Sequence, residues 1–185
     1  MMRVTFPPPM SQRFDPSALG VSYPRTVKLE YRRFADYFKG FDKVDAVRRI
    51  FGDRTSQVLR SLRVEFFSSK WGYMGVSDED GHLVVSAHYL RTGDRRDIYL
   101  DVVHELVHVK QFRDGRQLFP ENFEYSTAPT EIEAYKVCIA EGRRLGMTDK
   151  QVLEYLRVPW MDDKEWRRLA RNLGLHPPPP RTKRR

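Results

Sequence analysis

An α+β domain is the architecture the sequence predicts, and three observations predict it. Short β-branched and aromatic runs are confined to residues 63–87. A long helical segment, about 94–113, follows them and is apolar nearly all round its circumference. Capped helical segments then succeed one another to about Leu173. Strands gathered in one stretch and helices in another give a sheet covered by helices rather than alternating βα units. At 185 residues and 40% hydrophobic content, the chain suits one ordinary domain with its own core.

The elements follow in order. Residues 1–27 are Pro-rich and form an arm that either lies over the domain or stays disordered. A helix is expected from about Leu29 to Phe38, ended by Gly40. Asp42 or Asp45 caps the next, which runs to about Leu62 on Val47, Ile50, Val58 and Leu62. Arg63–Phe67, Tyr73–Val76 and Leu83–Ala87 read as strands, and the turn signal Asp78-Glu79-Asp80-Gly81 makes 73–87 a hairpin. Thr92-Gly93-Asp94 opens the long helix, which stops near Gly115. After a loop over roughly 115–129, Thr130 caps a helix from Glu131 to about Leu145, closed by Gly146. Thr148 caps Asp149–Tyr155, and Asp162 or Asp163 opens the last helix. The globular domain is thus expected over 28–175, with 149–174 as a helical cap and 176–185 as a Pro-rich basic tail.

Charge and composition narrow the function. Of the net +8, four charges sit at Arg181, Lys183, Arg184 and Arg185, which leaves a mild excess for the rest. That favours a solvated end over nucleic-acid binding as a main role, although the basic tail allows charge-driven contact. Cys138 is the only cysteine, so no internal disulfide framework exists. No signal-like apolar run opens the sequence, and no stretch approaches the roughly 20 apolar residues of a membrane span. A cytoplasmic location is therefore expected. The sequence leaves the oligomeric state open.

The chemistry is carried by His104-Glu105-Leu106-Val107-His108. Residues four apart on a helix differ by about 40° and climb about 6 Å, so both imidazoles leave one face. Two neutral imidazoles on one face can bind one Zn²⁺. Glu105, about 100° round, stands beside such a metal and is placed to take a proton from a metal-activated water. Around it, Asp97, Asp101, His104, His108 and Gln111 make a narrow polar stripe on an otherwise apolar helix. A buried polar stripe needs partners.

A catalytic zinc needs a third protein ligand and an open position. Among the other histidines, no spacing favours His82 or His88, and His176 lies in the tail. Asp114 is turned about 240° from His108 on an unbroken helix. The carboxylates of the next helix, Glu131 and Glu133, remain, about 200° apart so that only one can face the metal.

Together, His104–His108 and Glu131-Ile132-Glu133-Ala134-Tyr135 resemble the gluzincin branch of the zincin metallopeptidases, over about residues 83–145. The resemblance implies a zincin-like fold: a small twisted sheet packed on the buried motif helix, with one Zn²⁺ per chain. It selects Glu131 over Glu133 as the third ligand, beside His104 and His108, with Glu105 as general base and a peptide or protein as substrate. It also implies that Leu83–Ala87 borders the cleft and pairs with an extended peptide. Tyr135 stands where many relatives carry an Asp that holds a ligand His. Tyr135 and Tyr125 are candidate donors to a developing oxyanion. Two other functions compete with a zinc-dependent peptidase. One is a regulatory protease-like protein that binds a partner or nucleic acid with little turnover. The other is a hydrolase of a non-peptide amide.

Overall fold

The computed structural model describes residues 14–179. It is α+β, with one four-stranded mixed sheet and helices around it. The strands are β1 (Tyr31–Arg33), β2 (Arg63–Phe67), β3 (Met74–Val76) and β4 (Leu83–Ser86), in the order β1-β2-β4-β3. β2 runs antiparallel to β1 and parallel to β4, and β3 closes an antiparallel hairpin with β4. The helices are α1 (Phe34–Tyr37), α2 (Asp45–Phe51), α3 (Thr55–Ser61), α4 (Ala87–Thr92), α5 (Arg95–Arg113), α6 (Pro129–Arg144), α7 (Asp149–Tyr155) and α8 (Asp163–Asn172). No helix among the described residues is long and apolar enough to cross a membrane.

α5 is the spine. Asp94 caps it by accepting from the backbone N–H groups of Arg96 and Asp97. Twelve of its nineteen residues are buried, so it has to be covered on every side. β3, α2 and α6 lie directly on it. Ile98, Leu100, Val102, Val103 and Leu106 are wholly inaccessible, and the ring of Phe14, from the stretch leading into the domain, tilts against Tyr99 at 5.5 Å.

Several boundaries differ from the sequence expectation for identifiable reasons. The helix expected over 29–38 is a strand followed by one helical turn: Tyr31-Arg32-Arg33 pair with Glu65, Val64 and Arg63. A partner thirty residues away overrides the local preference. The helix expected to reach Leu62 breaks into α2 and α3 at Gly52, whose φ of +59° suits glycine, and Val44 rather than an Asp occupies its cap. Strand β4 ends at Ser86, because that hydroxyl accepts the Tyr89 N–H and starts α4. Thr130 does not cap α6. The helix opens at Pro129 after Ala128, and the Thr130 hydroxyl donates to the Leu118 carbonyl, tying down the 115–128 loop. Thr148 caps α7 as expected, and the structure adds the reciprocal bond from its N–H to the Gln151 side chain that completes a capping box.

Sheet order also corrects the substrate-strand expectation. β4 is hydrogen-bonded on both sides, to β2 and β3, so Leu83–Ala87 has no free edge for a peptide. The free edge beside α5 belongs to β3. Tyr73 and Ser77 direct backbone groups to β4, accepting from Ser86 and donating to His82. By strand alternation Met74 and Val76 turn theirs outward.

Of the stretch expected as an arm, residues 14–27 lie on the domain: Val21 is buried, and Arg25 donates to the carbonyls of Gly93 and Arg91 at 2.9 and 2.7 Å. Residues 1–13 and 180–185, including most of the expected basic tail, lie outside the described part. The C-terminal helices pack on the core. Trp166 is buried, and its indole N–H donates to the Leu153 carbonyl at 3.0 Å.

Because α5 has no solvent face to yield, truncating its interior should be costly. Leu106→Ala is expected to lower unfolding free energy by about 2–5 kcal/mol, read from urea denaturation. A loss below about 1 kcal/mol would mean that α5 is not the buried centre of the domain.

Candidate metal centre

α5 and α6 bring three polar side chains to one point. His104 and His108 leave α5 one turn apart, and Glu131 reaches them from the first turn of α6. His104 Nε2 lies 3.0 Å from His108 Nε2 and 3.2 Å from Glu131 Oε2, and His108 Nε2 lies 3.4 Å from Glu131 Oε1. All three residues are buried, none more than 6% exposed.

That triangle fits a metal. For bonds of about 2.0–2.1 Å, the edges of a zinc tetrahedron are about 3.3–3.4 Å, close to the three observed separations. The donor chemistry agrees. The His108 Nδ1–H donates to the Gln111 Oε1 at 2.7 Å, which leaves a lone pair on Nε2, facing the other two groups. His104 Nδ1 and Glu131 Oε2 are buried without a hydrogen-bond partner among the described residues. Two nitrogen lone pairs and a carboxylate repel one another unless a cation or a proton sits between them. Glu131 is held below its usual range: burial alone would raise it, but its contacts with the two histidines outweigh that. Among the described residues, these three form the one group able to hold a metal ion; its identity is not set by the geometry.

Glu133, the rival carboxylate, points elsewhere. It accepts from Gln111 Nε2 at 3.0 Å and pairs with Arg116. The Gln111 amide is therefore a clamp. Its oxygen orients His108, and its nitrogen donates to Glu133 and to the Thr130 carbonyl at 3.0 Å, next to Glu131. Gln111 is 1% exposed. It fixes the ring of one candidate ligand and the start of the helix bearing another.

A cleft of about 350 Å³ opens over the cluster. Glu105 lines it, 8% exposed, with neither a hydrogen bond nor an ion pair among the described residues. Burial raises its pKa, opposed by the nearby histidines. Tyr135 does not hydrogen-bond to His104. Its ring meets the imidazole edge to face at 4.5 Å, and its hydroxyl shares a 2.8 Å hydrogen bond with Tyr125. Burial lifts both phenols well above their ordinary range, so they remain proton donors. His82 lies apart, between Asp80 and Glu65, His88 sits by Arg91, and His176 follows α8. Cys138 is buried and donates to the Leu100 carbonyl at 3.3 Å, a packing role.

Sequence reasoning missed Asp101 as a feature of the site. One turn before Glu105, its carboxylate accepts from Tyr89 and, at 2.8 Å, from Tyr155. Burial pushes it up to about 6, although both hydroxyls oppose the shift. Its place in the polar stripe of α5 was the available signal. Its partners arrive from α4 and α7. Trp160 is half exposed on the cleft wall.

No family model, no curated protein and no solved structure matches the chain.

Two outcomes follow from this geometry. Gln111→Leu should keep the fold but weaken zinc binding about 10–100-fold in competition titrations, and Glu131→Gln should weaken it more than Glu133→Gln does. The reverse order for the two glutamates would place the ligand on the wrong side of α6. For Asp101, the folded state binds the proton more tightly than the unfolded chain does. Its contribution therefore lowers stability as pH rises from about 4 to about 6. Asp101→Asn, with both tyrosine donors kept, should raise stability at pH 7 by on the order of 1–2 kcal/mol and much less at pH 4, read by chemical denaturation.

Proposed function

We propose that the chain is a zinc-dependent metallohydrolase of the gluzincin kind, with peptide bonds as its substrate. One observation carries the reading: a buried His₂Glu triangle of tetrahedral dimensions beside an unpaired, buried carboxylate, Glu105, on the same cleft. A purely structural metal site would be closed by a fourth protein ligand. A catalytic one keeps a position open and a base beside it.

When bound, a zinc-class ion polarises a water molecule and the scissile carbonyl. The protein's own groups do the rest. Glu105, its proton affinity raised by burial, takes the proton of the attacking water and passes it to the leaving amine. The Tyr125–Tyr135 pair shares one hydrogen between two oxygens and has a second hydrogen to offer a developing oxyanion. The outward backbone groups of Met74 and Val76 can hold an extended peptide as an added strand along the cleft.

Glu105→Gln should retain about one zinc per chain by elemental analysis yet lose hydrolysis of casein-derived peptides by about 10²-fold or more. Wild-type rates in that variant would remove the proposed mechanism. Failure of the native protein to take up zinc would remove the class.

A further inference from the structure

The cleft differs in charge from the rest of the molecule. The chain as a whole carries +8. Around the cleft, however, Asp94, Asp97 and Asp101 precede Glu105 along one face of α5, and Glu154 faces them from α7. Apart from the two histidines, Arg157 is the one basic side chain lining it, and Arg157 is already engaged. It lies 3.6 Å over the Trp166 ring and 3.3 Å from Asp163.

These acids are not a closed network. Asp97 pairs with Arg96 at 3.4 Å, but Asp101 has two tyrosine donors and no cation among the described residues, and Glu154 has no ion pair there. Glu105, more than nine-tenths buried, opens on the same cleft with no hydrogen-bond or ion-pair partner among the described residues. Nor do the acids converge as a second metal site would require, since the only metal-like group among the described residues is His104, His108 and Glu131. They line the same cleft as a cluster of aromatic rings. Tyr73 stacks edge-on with Trp160 at 5.2 Å and tilts against Tyr89 at 5.0 Å, and Trp160 also meets Tyr125 at 6.0 Å. Aromatic faces beside separated carboxylates suit an organic cation better than a hard metal ion.

We propose that this cleft selects substrates carrying a lysyl or arginyl side chain, whose charged head is received by Asp101 and Glu154 beside Tyr73 and Trp160. The inference rests on the peptidase reading and names its substrate class. Asp101 then has a role that explains why a carboxylate is kept where burial opposes its ionisation: the missing counter-charge arrives with the substrate.

Binding of two matched probe pairs to the full-length, zinc-loaded Glu105→Gln protein tests this by calorimetry. The first pair is acetyl-Ala-Lys-Ala-amide against acetyl-Ala-norleucine-Ala-amide, and the second is benzylamine against benzyl alcohol. The lysyl peptide should bind at least about tenfold tighter than its uncharged analogue. The margin should shrink with added salt and disappear when Asp101→Asn or Glu154→Gln is added, with zinc retained. Equal binding within both pairs overturns the inference, whether or not the wild-type protein cleaves peptides. So does a preference that survives both substitutions. Amine preference that depends on Asp101, without binding or cleavage of either peptide, keeps the cation subsite and ends the peptidase reading instead.

Discussion

Everything in this molecule is arranged around the burial of one helix that is not uniformly apolar. α5 is enclosed by β3, α2 and α6, yet its enclosed surface includes His104, Glu105, His108 and Gln111. Polar groups cut off from water must find partners within the protein or a bound ion. Gln111 finds three and His108 finds Gln111. His104 and Glu131 are left with each other and with His108, at distances that suit a shared cation. The position of α6 follows, because its first turn must deliver Glu131 while the Thr130 carbonyl accepts from Gln111. The 115–128 loop is then held from the other side, through the Thr130 hydroxyl on Leu118.

What the sequence made legible was local. The span of α5, its Asp94 start and the facing of His104 and His108 all follow from periodicity and a cap within three residues. β2 was readable from five residues, and α7 from its cap Thr148. Elements decided by distant partners were hidden. Tyr31–Arg33 looks like the start of a helix until β2 pairs with it, and Ser86 looks like a strand residue until its hydroxyl caps α4. The same division holds inside the site. The motif pair was visible, and residue spacing alone left Glu131 and Glu133 level. The clamp formed by Gln111 separates them, because one carboxylate reaches the histidines and the other meets the far side of that amide. The tyrosines on Asp101 could not be foreseen, since they arrive from helices on either side of α5 in the chain.

The two histidines are also held differently, and that asymmetry bears on the charge of the cleft. His108 donates to a neutral amide, whereas His104 has no acceptor at Nδ1 and is steadied by the Tyr135 ring. With Tyr at 135, no carboxylate stands behind His104 on α6. The carboxylate that does meet it, Glu131 at 3.2 Å, lies on the Nε2 side. A divalent ion bound by Glu131 retains about one unit of positive charge, which Glu105 cancels. With Asp97 offset by Arg96, Asp101 and Glu154 leave the cleft negative even with a metal bound. A carboxylate placed at 135 would have spent its charge on the ligand histidine. Placed at 101, it lines the open cleft instead.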